Sequence, residues 1–166
     1  MCRNYIGGAS VYAVSCRDNF FGITKENRNV AINGIVNNTV FRLEKNIPNL
    51  GTQILSLWRR QVANDWKEKY GVDVAGFETF VIESSRRKGS VYKADNWQFV
   101  GKTQGSAKYH SNGINNKSER VEVERKLVFC KKNGDIQLPT EYTPTWNTNG
   151  IAGQITLDEW LKSEMS

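Results

Sequence analysis

Between positions 50 and 70, Leu50, Ile54, Leu57, Trp58, Val62, Trp66 and Tyr70 recur at steps of three and four residues. That period places them on one stripe of an α-helix, with polar residues opposite. Pro48 stands just before the pattern, Asn49 suits the N-cap, and Gly71 follows as a stop. A helix this long and this one-sided requires a second apolar layer to cover it. The flanking segments supply one, because they read as strands.

Residues 10–15 and 20–23 alternate or run apolar around a polar Arg17-Asp18-Asn19 turn, which predicts a hairpin over residues 12–23. Residues 29–36 and 39–43 predict further strands, with Asn37-Asn38 as a turn or bulge between them. After the helix, residues 72–82 predict a strand rich in Val, Phe and Thr, 84–88 a basic loop, 89–95 a short helix, and 97–102 another strand. Beyond Gly105 the pattern weakens: 106–117 is polar, and 121–130 regains strand character around Lys126-Leu127-Val128-Phe129-Cys130. Strands alternating with helices predict a mixed α/β, that is α+β, domain with a central, mostly antiparallel sheet and flanking helices. Residues 1–135 form that domain. Residues 136–166 are expected as an extension packing on it, with a short amphipathic helix at 156–165 carrying Leu157, Trp160 and Leu161.

With 166 residues the chain fits one domain with one core. No apolar run is long enough for a membrane-spanning helix, and the first residues lack a secretory pattern, so the expectation is a cytoplasmic protein without a membrane partner. Cys2, Cys16 and Cys130 are scattered, and His110 is the one histidine, so neither a disulfide framework nor a metal site is expected. The net charge of +6 leans towards a polyanionic partner.

Chemistry has two natural places. The stretch Asn46-Ile47-Pro48-Asn49-Leu50-Gly51-Thr52 joins a strand to the long helix. Free amides at a helix start accept phosphate, and Gly51 lets a ligand approach the backbone. A purely structural cap has the same appearance. The second place is the run from Gly89 through Tyr92 and Trp97 to Gly101, followed by Lys102, Lys108 and Tyr109 and preceded by Arg86-Arg87-Lys88. Cations interleaved with aromatics suit phosphates and bases. A solvated loop and a core tyrosine are the alternatives.

The two places together resemble the GNAT acyltransferase superfamily. There a strand leads into a pattern of Gln or Arg, two residues, Gly, one residue, and Gly or Ala, before an apolar helix. Residues 46–51 followed by Ile54-Leu55 are similar, with Asn46 at the first position and Asn49 at the first glycine. A later GNAT helix bears a tyrosine ahead of the next strand, the layout of Tyr92 before Trp97 and Phe99.

A closer resemblance is to the Mom family of phage DNA-modification proteins and to the DruA-type proteins of bacterial defence systems. It spans residues 36–105 through Asn49-Leu50, Leu55-Ser56-Leu57, Asp65-Trp66, Tyr70-Gly71, Glu78-Thr79-Phe80-Val81, Tyr92-Lys93-Ala94-Asp95-Asn96-Trp97 and Gly101-Lys102-Thr103. Tyr5-Ile6-Gly7-Gly8 is similar to a short N-terminal Mom motif, with Asn4 where His is common. Those families commonly place Asp-Pro after the strand ending at Val81, where this chain has Ile82-Glu83.

The resemblance implies a GNAT-like acyltransferase that modifies a nucleobase, adenine in DNA, as in Mom-type carbamoylmethylation protecting DNA from restriction. It implies acetyl-coenzyme A or a related acyl-coenzyme A near Arg42, Leu43, Asn49, Leu50, Gly51, Thr52 and Gln53. Tyr92 is the implied acid, with Glu44, Glu78 or Glu83 as base. DNA would lie against Arg86, Arg87, Lys88, Trp97, Lys102, Lys108 and Tyr109. Two other functions stay open: a non-catalytic, DruA-like nucleic-acid-binding component of defence or counter-defence, and an N-acetyltransferase of proteins or small amines. A homodimer is left open too.

Overall fold

The computed structural model describes residues 2–9, 14–44, 47–84, 87–110 and 118–141. Seven strands and four α-helices follow one another along these residues. The strands are β1 (Cys2–Gly8), β2 (Ile35–Leu43), β3 (Gly76–Ile82), β4 (Gln98–Lys102), β5 (Ser106–His110), β6 (Ser118–Glu122) and β7 (Lys126–Lys132). The helices are α1 (Ser15–Phe21), α2 (Arg28–Ala31), α3 (Leu50–Tyr70) and α4 (Ser90–Ala94).

Five strands form one sheet in the order β1-β2-β3-β7-β4, and β5 pairs with β6 as a separate hairpin. Only the β2–β3 pairing is parallel; β1–β2, β3–β7 and β4–β7 are antiparallel. The expected mixed α+β architecture with a mostly antiparallel sheet is therefore what the chain adopts. A parallel pair needs a crossover, and α3 provides it.

Alternation along β3 sorts the core into two faces. Phe77, Thr79 and Val81 point to the face covered by α3 and α4, where Val36, Leu55, Val62, Phe77, Tyr92, Trp97, Leu127 and Phe129 form the main cluster. On the opposite face Ile23, Ala31, Ile32 and Ile35 form a smaller cluster under α2. Beside it α1 lays Arg17 against Glu78 at 3.4 Å, with both side chains fully buried. Arg17 also pairs with Asp18 at 2.9 Å, and Asp18 with Arg28 at 2.8 Å. Each charge in this chain meets an opposite one, which is the condition for burying it.

Four expectations need correction. The stretch expected as a turn and second strand of a hairpin is helix α1, stopped by Gly22 in the left-handed conformation (φ 74°). Its inner face is Arg17 and Asp18 rather than apolar residues, so no hydrophobic period marks it. Residues 10–13 lie outside the described residues. Most of the strand expected at 29–36 is helical, through α2 and a 3-10 turn over Ile32–Gly34. Asn37 and Asn38 sit inside one continuous β2, and the irregularity falls at Thr39, where Tyr5 pairs with Val40 and Ile6 with Asn38. β3 begins at Gly76, later than expected, and the ring of Phe21 fills the space a side chain there would take.

The long helix spans the 21 residues expected of it. Asn49 stands at its N-cap position but in the left-handed conformation (φ 60°) with no side-chain cap. Asparagine tolerates that conformation better than most residues. Leu138 packs against the smaller cluster, so the chain just past β7 lies on the same body. The helix expected at 156–165 lies outside the described residues.

Candidate active site where two strands part

β2 and β3 pair over four positions only, from Ile35 with Gly76 to Asn38 with Thr79. Beyond that point β2 stays with β1 as far as Leu43, while β3 stays with β7 as far as Ile82. The two strands part, and a wedge opens at their C-terminal ends. In open sheets with parallel strands, this is where ligands bind.

Tyr92 of α4 reaches the apex. Its ring stacks on Phe129 at 5.9 Å, meets Trp97 edge-on at 5.2 Å and lies 6.2 Å from Phe41 of β2. Its hydroxyl is 3.3 Å from the oxygen of the Thr79 hydroxyl, whose proton goes to the Asn38 carbonyl at 2.9 Å. Burial raises the pKa of the phenol. Asn38 completes the apex. Its side chain is fully buried, and neither its oxygen nor its nitrogen has a partner among the described residues. A buried carboxamide without a partner is costly. Sequence reasoning missed Asn38 and Thr79, because a polar residue inside a strand gives no signal until its neighbours are known.

The expected donor-binding residues gather beside this wedge. Leu43 packs towards Gly51, and Arg42 and Glu44 at the end of β2 are exposed. Asn49, Leu50, Thr52 and Gln53 open α3, and the Thr52 hydroxyl donates to the Asn49 carbonyl at 2.9 Å. Gly51 differs from its expected use. It is buried, and a Cβ there would stand 2.5 Å from Val91 of α4. The glycine serves the α3–α4 contact rather than a ligand's approach.

The expected carboxylates separate. Glu78 faces α1 on the side of the sheet away from Tyr92. Glu83 lies past β3, exposed and paired with Lys102 at 2.5 Å. Of the expected nucleic-acid contacts, Arg87, Lys88 and Lys102 are exposed, and Arg86 lies outside the described residues. Lys108 and Tyr109 are on β5, opposite Arg120 and Glu119. Trp97 is 4% exposed, and its indole N–H donates to Asp95 at 2.8 Å, so its ring has no open face for a base. Asp95 also accepts from Arg59 of α3. In the run Tyr92-Lys93-Ala94-Asp95-Asn96-Trp97, Tyr92, Asp95 and Trp97 are all buried: the tyrosine sits in the core with its hydroxyl towards β3, and the aspartate and tryptophan fasten α4 to that core.

Among the described residues, no group of His, Cys, Asp and Glu side chains is placed to hold a metal ion. No helix among them is long and apolar enough to cross a membrane. Residues 5–133 match the family model described as Druantia protein DruA. No curated protein matches the chain.

Proposed function

The chain belongs to the DruA family of defence proteins, and from that premise we propose that it is a GNAT-like acyltransferase modifying a nucleobase, adenine in DNA. One observation carries the reading. The Tyr92 hydroxyl stands where β2 and β3 part, beside the ends of two strands that no longer pair with each other. The unpartnered Asn38 carboxamide beside it fits an amide-bearing chain such as pantetheine.

An acyl-coenzyme A would supply an activated thioester. As the adenine amine forms its bond to the thioester carbon, the carbon–sulfur bond breaks. Tyr92 gives its hydroxyl proton to the departing sulfur, a contribution of roughly 10²–10⁴-fold for a positioned acid. The Tyr92 phenol, held neutral by burial, keeps that proton available. The amine's proton passes to a carboxylate on the open side of the wedge, Glu44 or Glu83, because Glu78 faces the other side of the sheet. An adenine in a duplex must first leave the stack, so the substrate is extruded or single-stranded.

A second reading, a nucleic-acid-binding component without catalysis, is favoured by Val91, which covers Gly51 where a pyrophosphate would approach. Isothermal titration with acetyl-coenzyme A separates the two. Binding at micromolar to millimolar donor, with an acyl mass on adenosine in nucleosides from treated DNA, is the expected result. Absence of heat at millimolar donor removes the transferase. Heat without a modified nucleoside moves the substrate to a protein or small amine.

A further inference from the structure

At the opposite end of the sheet from the wedge, α3 and the end of β7 enclose an open cavity of about 620 Å³. Arg59, Arg60 and Lys67 line it from the helix and Lys131 from the strand, with Asp73 on its rim. Lys132 also borders the cavity, but its ammonium lies 5.8 Å over the Phe20 ring, so its charge is used elsewhere.

Three of the four cations are held by partners, and Arg60 is exposed. Arg59 is fixed by Asp95, and the Lys131 ammonium by the carbonyls of Asp95 and Asn96 at 2.8 and 3.4 Å. Lys67 pairs with Asp73 at 2.7 Å. Among the described residues, two carboxylates therefore serve four cations. Arg59 and Lys131 are partly desolvated, and each also feels a like charge, Arg60 on Arg59 and Arg59 on Lys131. Like charges gathered in a concave, partly desolvated wall focus a positive potential that only an anion relieves. The opposite wall is firm, because the Asn133 amide and carboxamide bond the carbonyls of Ala75 and Val74 at 2.9 and 2.8 Å.

Arg60 and Lys67 lie two helical turns apart, about 10 Å along the axis. Measured along a duplex axis, that is the rise of roughly three phosphate-to-phosphate steps of one strand. We propose that this groove between α3 and β7 holds the sugar–phosphate backbone of a nucleic acid. The choice of nucleic acid as the polyanion rests on the proposed substrate; the anion site itself rests on the groove. This surface is separate from Arg87, Lys88 and Lys102, which lie around the other end of the sheet.

The test is fluorescence anisotropy of a labelled DNA duplex and a labelled single strand with the full chain, without acyl donor, across a salt series from roughly 50 mM. Arg60→Gln with Lys67→Gln alters two exposed side chains and leaves the Arg59 and Lys131 anchors in place. The double variant should bind DNA at least about tenfold more weakly, with a salt slope shallower by about two. Lys88→Gln with Lys102→Gln serves as the comparison. Equal affinity and slope in wild type and the Arg60/Lys67 variant would overturn the proposal. So would a loss confined to the Lys88/Lys102 variant, or equal binding of poly-glutamate, which would make the partner an acidic protein. Wild type that binds no DNA at low salt also overturns it, while the acetyl-coenzyme A titration still decides the transferase separately.

Discussion

The Tyr92 hydroxyl lies 3.3 Å from the Thr79 hydroxyl at the point where β2 and β3 part. Thr79 has one proton, and the Asn38 carbonyl 2.9 Å away can only accept it. The phenol is therefore the donor towards Thr79. This short relay ties α4 to both strands of the parallel pair and holds the Tyr92 proton at the apex of the wedge.

Thr79→Val keeps the shape of the side chain and removes the relay. It leaves a buried phenol and a buried carbonyl short of a partner, at a cost of about 1–3 kcal/mol. Urea denaturation followed by circular dichroism should show the midpoint fall with an unchanged slope. Tyr92→Phe should cost less stability and leave acetyl-coenzyme A binding intact, while turnover falls by roughly 10²–10⁴-fold. Unchanged turnover would make Tyr92 a packing residue.

The Arg17–Glu78 pair is buried to 0% on both sides. Arg17→Met strands the Glu78 carboxylate from its guanidinium and should destabilise the fold by about 3–5 kcal/mol. Arg17→Met combined with Glu78→Met should recover part of that loss, because both desolvation costs vanish together. A double variant weaker than the sum of the singles would contradict this account.

Gly51 and Val91 make the α3–α4 contact, and a methyl group on Gly51 would meet Val91 at 2.5 Å. Gly51→Ala should cost about 1–3 kcal/mol through overpacking. Adding Val91→Ala should restore much of it, giving a coupling energy near 1 kcal/mol or more in a thermal-denaturation cycle. Additive effects would separate the two residues.

Alkaline pH should weaken the fold. Burial raises the thiol of Cys130 above its ordinary 9.0, with Glu78 adding to the shift, and burial raises the phenol of Tyr92 above 10.0. Both groups hold their protons more tightly when folded. Their stabilising contribution is complete below the unfolded pKa values and is lost as pH rises towards the folded ones. Melting temperature should fall from about pH 9 upwards. Cys130→Ala should start lower and fall less steeply over that range.

The long helix was legible in full, because α3 buries a continuous apolar stripe and its stop is local, in Gly71. The strand-rich surroundings were legible in kind, although β2 and β3 begin later than their apolar runs indicate. α1 was not legible. A seven-residue helix whose buried face is Arg17 and Asp18 carries no hydrophobic period, and one partner of that face is Glu78, 61 positions away. The site divided in the same way. Tyr92 was singled out by its place in a short helix before a strand, but the burial of Tyr92 and Trp97 together depends on Asp95, Phe129 and α3, so aromatics beside lysines proved to be core.

Local order is what the sequence determined by itself: where the amphipathic helix runs, where glycines stop helices, and that a mixed α+β sheet must cover the stripe. Periodicity and turn chemistry act over a few residues, and a single chain displays them directly. Tertiary structure alone decided that β2 and β3 part after four paired residues, that Asn38 is buried at the parting, and that Arg59, Arg60, Lys67 and Lys131 share one cavity. These are relations between residues distant in the chain, set by strand register and helix packing. Register shifts by whole residues, and each shift turns every side chain to the other face, so the grouping exists only once the pairing does.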